Sequence, residues 1–109
     1  MTWNIVEMDV IRWSEKRGII ENSDSKTQLL KAFSEMGELA DAINKKDRPG
    51  IIDGLGDVLV CLINVAAIED LDLTRCLKTA YLQIKDRKGI LLPTGVFVKE
   101  EQCEESNKI

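Results

Sequence analysis

The segment from Val58 to Ile68 is apolar on nearly every side of a helix and is interrupted only by Asn64. Every face of such a helix has to be covered, so it belongs at the centre of a bundle. It is also too short to span a bilayer. The chain is therefore expected to be all-α, with three further helices packed around this one. At 109 residues it amounts to a single domain. A domain of that size buries a modest share of its surface, so a bundle assembled by self-association is expected.

Periodicity and punctuation place the four helices. The first runs from Asn4 to Lys16, with Thr2 as its N-cap, Trp3, Val6, Val10 and Trp13 at helical spacing, and Gly18 as its stop. Asn22-Ser23-Asp24 is loop chemistry. The second runs from Lys26 to Lys45, opened by a capping box of Ser25 and Gln28. Leu29, Phe33, Met36, Ala40 and Ile43 make its core stripe, and Lys46 to Gly50 ends it. The third, central helix runs from Ile51 to Glu69. The fourth follows Asp72 as N-cap and reaches Lys88, with Gly89 as its C-terminal signal. The folded domain is read as 1–99. Val96-Phe97-Val98 is a short extended piece, and 100–109 is a polar, frayed tail.

Composition narrows the chemistry. The net charge of −4 argues against a nucleic-acid-binding face, and nothing in the sequence calls for a membrane. There is no histidine, which removes imidazole bases, histidine zinc sites and the Glu-x-x-His di-iron pattern. Cys61, Cys76 and Cys103 have no C-x-x-C spacing. They read as reduced thiols, two of them buried, in a protein of the cytoplasm.

The polar residues on the apolar helices carry the functional information. Gln28, Lys31, Glu35 and Glu38 are spaced by three, four and three, and so share one face of the second helix. Asp53, Asp57 and Asn64 share one face of the third. A carboxylate on a buried helix needs a cation, a metal or a proton. Lys31 alone cannot neutralise Glu35, Glu38, Asp53 and Asp57. A divalent, oxygen-seeking cation would do so, and Mg²⁺ takes carboxylates together with waters and phosphates. Gly37, Gly54 and Gly56 stand among these acids at a helix-interior cost of about 1 kcal/mol each, which suggests close helix approach. Gly54 also lies where it could simply sit in a first turn.

At these positions the sequence resembles the MazG-like all-α nucleoside triphosphate pyrophosphohydrolases, whose motif is E-x-x-E, a spacer, then E-x-x-D. Glu35-Met36-Gly37-Glu38 matches the first half. The second half is matched at Asp57, with Gly54 at the other acidic position and Asp53 one residue earlier. Trp13, Arg17-Gly18-Ile19, the Gln28 to Lys31 lead-in and Ile84 to Gly89 followed by Gly95 to Glu100 extend the likeness to short phage- and integron-type members.

The resemblance implies hydrolysis of a nucleoside triphosphate, a dNTP for preference, to the monophosphate and pyrophosphate in nucleotide-pool control or sanitation. It implies Mg²⁺, with Mn²⁺ as its substitute, on Glu35, Glu38, Asp57 and Asp53. Glu38, then Glu35, would activate the attacking water. Lys31, Asn64, Lys85, Arg87 and Trp13 would contact the nucleotide, in a homo-oligomeric dimer or tetramer. Each residue also has a plain alternative. Glu35 and Glu38 could form a solvated face, and Asp53 could favour a helix start. Lys31 could pair with Glu35, and Asn64 could be a core amide fixing register. Lys85 and Arg87 could complement a helix C-terminus, and Trp13 could be a core residue. The rival functions are a non-catalytic helical dimerisation module and a related phosphoribosyl-ATP or dUTP pyrophosphohydrolase.

Overall fold

The computed structural model describes residues 1–100. Five helices and a hairpin follow in order: α1 (Trp3–Lys16), α2 (Ile19–Asn22), α3 (Ser25–Asn44), α4 (Arg48–Ile68), α5 (Leu73–Ile84), β1 (Gly89–Leu91) and β2 (Phe97–Lys99). The mostly helical chain has the expected all-α class. It divides into two compact units, Met1–Cys76 and a second that begins at Leu77.

In the first unit α1 starts as expected. The Thr2 side chain accepts from the Ile5 amide at 3.4 Å. Gly18 ends the helix in the left-handed region, φ 75°, where a side chain would be strained. The chain then makes the short α2, which the loop chemistry at 22–24 did not announce.

Both long helices begin one signal earlier than the sequence suggested. The cap of α3 is Asp24, whose carboxylate accepts from the Thr27 amide at 2.7 Å. This replaces the expected Ser25–Gln28 capping box. Ser25 instead donates to the Glu69 carboxylate at the far end of α4, 2.6 Å, and Gln28 turns inward. The segment Lys46 to Gly50 does more than end α3. Asp47 caps α4 by accepting from the Gly50 amide at 3.2 Å, and Pro49 lies in the first turn, where no intrahelical N–H is needed.

Beginning at Arg48, α4 reaches 21 residues, so it is long and apolar enough to cross a bilayer by length and composition. It nevertheless carries Asp53, Asp57 and a buried Asn64. It packs along α3, with α1 and α2 against it, as the central helix of a bundle does.

The inner face of this unit is made of small and polar residues. Ala32, Ala42, Cys61, Ile63 and Ala66 are buried, together with Glu7, Ser14, Gln28 and Asn64. The expected stripe on α3 points the other way, with Leu29, Phe33, Met36, Ala40 and Ile43 all exposed in the single chain. Phe33 is 57% and Ile43 54% exposed, and Ile52 and Leu55 on α4 are 63% and 53% exposed. Trp13 is also exposed rather than in the core, and so is Cys76, whereas Cys61 is buried. The Glu7 carboxylate accepts from the Thr74 hydroxyl at 2.8 Å, and the Trp3 indole N–H donates to that same hydroxyl oxygen.

The second unit starts within α5. That helix stops at Ile84, four residues before the expected Lys88, and Gly89 belongs to a strand rather than to a helix end. β1 and β2 pair antiparallel, Gly89 with Lys99, Ile90 with Val98, Leu91 with Phe97. A Cβ on Gly89 would strike the Val98 carbonyl and the Phe97 ring, which accounts for glycine there. The turn closes through the Gly95 amide on the Leu92 carbonyl at 2.8 Å, with Pro93 at the position it presets. The expected extended piece at 96–98 is therefore the second arm of a hairpin. Of the polar tail, 101–109 lie outside the described residues.

Candidate active site

The acid-bearing faces of α3 and α4 meet because the two helices run antiparallel in one sustained register. Ser25 touches Glu69, Gln28 bonds Asn64, Glu35 feels the charge of Asp57, and Leu39 lies against Gly54. A Cβ on Gly50 would sit 3.1 Å from that of Ala42 at the far end. Each step forward along α3 is matched by an equal step back along α4. Glu35 is two turns beyond Gln28, and Asp57 is two turns before Asn64.

The charges of Glu35, Glu38, Asp57 and Lys31 fall in one neighbourhood. The Glu35 carboxyl is held above its ordinary value of 4.5, first by burial, then by a hydrogen bond with the Glu38 carboxyl and by the negative charges of Glu38 and Asp57. Lys31, one turn earlier, opposes the rise. The Cys61 thiol lies one turn along α4 from Asp57. It is pushed up by burial and feels Lys31, Glu35 and Asp57 as well. That makes it a buried, protonated thiol rather than a nucleophile.

Beside this group opens a shallow cleft of about 350 Å³. Glu38, Asp41, Asp47, Asp53 and Asp57 line it, with Lys45 as the cation at its edge. Asp53 and Asp57 therefore face the same space, as their one-turn spacing requires.

Gly54 is buried where α4 crosses Leu39, and an ideal Cβ there would lie 3.0 Å from the Leu39 Cβ and 3.1 Å from its Cα. It is a packing glycine rather than a first-turn residue. Gly37 and Gly56 face open space, so close helix approach explains Gly54 alone of the three.

The other sequence-selected residues are placed as follows. Asn64 does not line the cleft. It is buried, its oxygen accepting from the Ser14 hydroxyl at 2.6 Å and its amide donating to Gln28 at 3.3 Å. The Gln28 amide in turn donates to the Ser23 hydroxyl at 3.1 Å. Trp13 carries the Arg17 guanidinium 4.3 Å above its ring centroid, a cation–π contact at the surface. Lys85 and Arg87 follow α5 in the second unit, both exposed. Ser14 was missed, since a serine inside a helix carries no pattern of its own.

The model of the MazG nucleotide pyrophosphohydrolase domain matches residues 23–89. The chain belongs to this family. The match spans α3, α4 and α5 and so contains the whole acidic group. No curated protein and no solved structure matches the chain. Membership carries a nucleotide pyrophosphohydrolase type of function, hydrolase chemistry and, for the family in general, dependence on a divalent metal.

The donor set suits such a metal. Among the described residues no three acids or cysteines are already drawn into a cage. Mg²⁺ does not require one, because it binds through one or two carboxylates and completes its shell with water and phosphate. Burial raises Glu35 first and the charges of Glu38 and Asp57 add to it, and a cation bound there would offset both by favouring the ionised carboxylates.

The raised Glu35 carboxyl has a pH signature. Folded Glu35 holds its proton more tightly than unfolded Glu35, so the folded state binds the extra proton above pH 4.5. Metal-free stability is thus favoured below that value and declines as pH rises through the window up to the raised value. Urea midpoints measured in EDTA should show this decline. Glu35→Gln should remove it, and Mg²⁺ should suppress it by favouring the ionised form. A decline identical in Glu35→Gln would place its origin elsewhere.

Proposed function

We propose that the protein hydrolyses nucleoside triphosphates, dNTPs for preference, to the monophosphate and pyrophosphate, using Mg²⁺ or Mn²⁺ held by Glu35, Glu38 and Asp57 with Asp53 beside them. The observation that carries this reading is the register that sets Glu35 and Glu38 of α3 against Asp57 of α4 inside a MazG domain. The bound ion would neutralise charge on the phosphate oxygens.

The chain's own groups supply the rest. Glu38 lines the cleft and is the first choice to orient a water and take its proton, with Glu35, whose carboxyl is raised by burial and then by the Glu38 charge, as the second. Lys31 lies close enough to Glu35 to balance the charge of the acids or to meet a phosphate oxygen. Trp13 is half-exposed with Arg17 over its ring, so a base would stack there on the opposite face or by displacing the guanidinium. Contact of Lys85 and Arg87 with the polyphosphate rests on the family resemblance alone. Asn64 is assigned to packing instead, since both ends of its amide are engaged by the protein.

A homo-oligomer, dimer or tetramer, belongs to the same proposal. Phe33, Ile43, Ile52 and Leu55 expose more than half of their surface on the two helices that carry the acids. An apolar surface on the site helices marks an interaction face. Pool sanitation in the cytoplasm, with neither nucleic acid nor membrane as partner, completes the reading. The rival, a helical dimerisation module without turnover, draws on the same apolar face and on Gly54 at an acidic motif position.

The deciding experiment is pyrophosphate release from a panel of NTPs and dNTPs in Mg²⁺ and in EDTA. Release in Mg²⁺ alone is expected, and the best substrate names the role. No release from a folded oligomer would leave the dimerisation module.

A further inference from the structure

The core between α3 and α4 is made of small residues, Ala32, Ala42, Gly54 and Cys61. Gly54 against Leu39 opposes slippage through packing at one end of this contact, while the shallow interdigitation of the small side chains elsewhere adds little. A buried polar contact distinguishes this register sharply from one slipped by a turn, because slippage leaves its donors and acceptors unpaired.

Such a contact is present, and it reaches into a third helix. Ser14 of α1 has no exposed surface and donates to the Asn64 oxygen at 2.6 Å, while Asn64 donates to Gln28 at 3.3 Å. Ser14 lies outside the segment that matches the family domain. From Gln28 to Glu35 is two turns of α3, and from Asn64 back to Asp57 is two turns of α4. A slip of one turn at the lock would therefore carry Glu35 about 5.4 Å past Asp57.

We propose that Ser14, Asn64 and Gln28 are positioning residues that hold the α3–α4 register and thereby keep Glu35 and Glu38 opposite Asp57 at the spacing a divalent cation needs. The inference rests on the metal site proposed above.

The test compares wild type, Ser14→Ala, the double variant Gln28→Leu/Asn64→Leu and Asp57→Asn. Mn²⁺ affinity of the nucleotide-free protein is measured by calorimetry, half-activating Mg²⁺ by pyrophosphate release, and stability by thermal unfolding. The double variant removes both members of one hydrogen bond, so it leaves fewer orphaned groups than a single truncation. It should remain helical while its Mn²⁺ dissociation constant and half-activating Mg²⁺ rise up to about tenfold, the lower end of what losing a partner bonded directly to a metal ligand costs, because the lock acts on the ligands only through the register. Ser14→Ala should shift both in the same direction by less.

A merely structural network would lower the unfolding temperature and leave both metal constants where they were. That result in either folded variant overturns the proposal, and if the double variant fails to fold, Ser14→Ala decides alone. Loss of Mn²⁺ binding in Asp57→Asn, with unchanged binding in the lock variants, would overturn the lock and keep the site. Wild type without Mn²⁺ binding, or Asp57→Asn with full binding, would overturn the site and the lock together.

Discussion

Asp57→Asn should abolish Mg²⁺-dependent pyrophosphate release while the helical circular dichroism is unchanged. Asp57 lines the acidic cleft, and its charge acts on both Glu35 and Cys61, so it stands at the centre of the acidic group. Losing a partner behind a metal ligand costs about 10- to 100-fold, so losing a ligand should cost at least about 100-fold in turnover. The folded state should not suffer in the metal-free protein. Removing one negative charge relieves the repulsion felt by Glu35, so the unfolding temperature in EDTA should stay level or rise. The rise that Mg²⁺ produces in wild type, by binding the folded state alone, should vanish. Retained turnover would remove Asp57 from the site, and lost helicity would make it a structural residue.

The sequence made the acids legible because their chemistry is local. E-x-x-E puts Glu35 and Glu38 on one face whatever α3 packs against, and the four-residue step does the same for Asp53 and Asp57 on α4. Thr2 and Gly18 were legible for the same reason, since a cap and a left-handed stop act within one turn. Even local signals compete, however. Asp24 and Ser25 are adjacent capping residues, and the carboxylate took the Thr27 amide. Ser25 was then free to reach Glu69, 44 residues away.

What was not legible depends on contacts between helices. Periodicity shows that Leu29, Phe33, Met36 and Ile43 form a stripe, but not what covers it. Among the described residues the stripe is left exposed, because α3 turns Gln28, Ala32 and Ala42 inward. The small side chains let the helices approach, and the large ones are left outside, where a second copy could cover them. The same limit applies to Asn64. Its presence on an apolar helix showed that it needs partners, but Ser14 and Gln28 could be named only once the register was known. The hairpin was half legible, since Val96 to Val98 reads as extended on its own. Gly89 looks like a helix stop until Phe97 and Val98 are seen against it.

Gly54→Glu restores the acidic residue that the family motif has at this position, and it should destabilise the protein rather than strengthen its metal dependence. The first added atom already meets the Leu39 Cβ at 3.0 Å and its Cα at 3.1 Å, and a Cα cannot rotate away. The Cβ by itself asks the helices to ease apart by a few tenths of an ångström, and the three further carbons and the carboxylate of glutamate must find additional room at this close approach. Overpacking of that kind costs about 1–3 kcal/mol. A carboxylate brought beside Asp53 and Asp57 adds like-charge repulsion and desolvation on top. Against a total stability of about 5–15 kcal/mol for a small domain, the urea midpoint should fall markedly. Gly54→Ala, which needs Leu39 to give by only a few tenths of an ångström, should fall less. Release assays on the folded fraction then separate two origins for the glycine. Weaker or unchanged Mg²⁺ dependence means that Asp53 and Asp57 already serve α4's side of the site and that Gly54 is there for Leu39. A stable Gly54→Glu protein, active at lower Mg²⁺, would mean that the helices can part and that Asp53 had been standing in for the missing ligand.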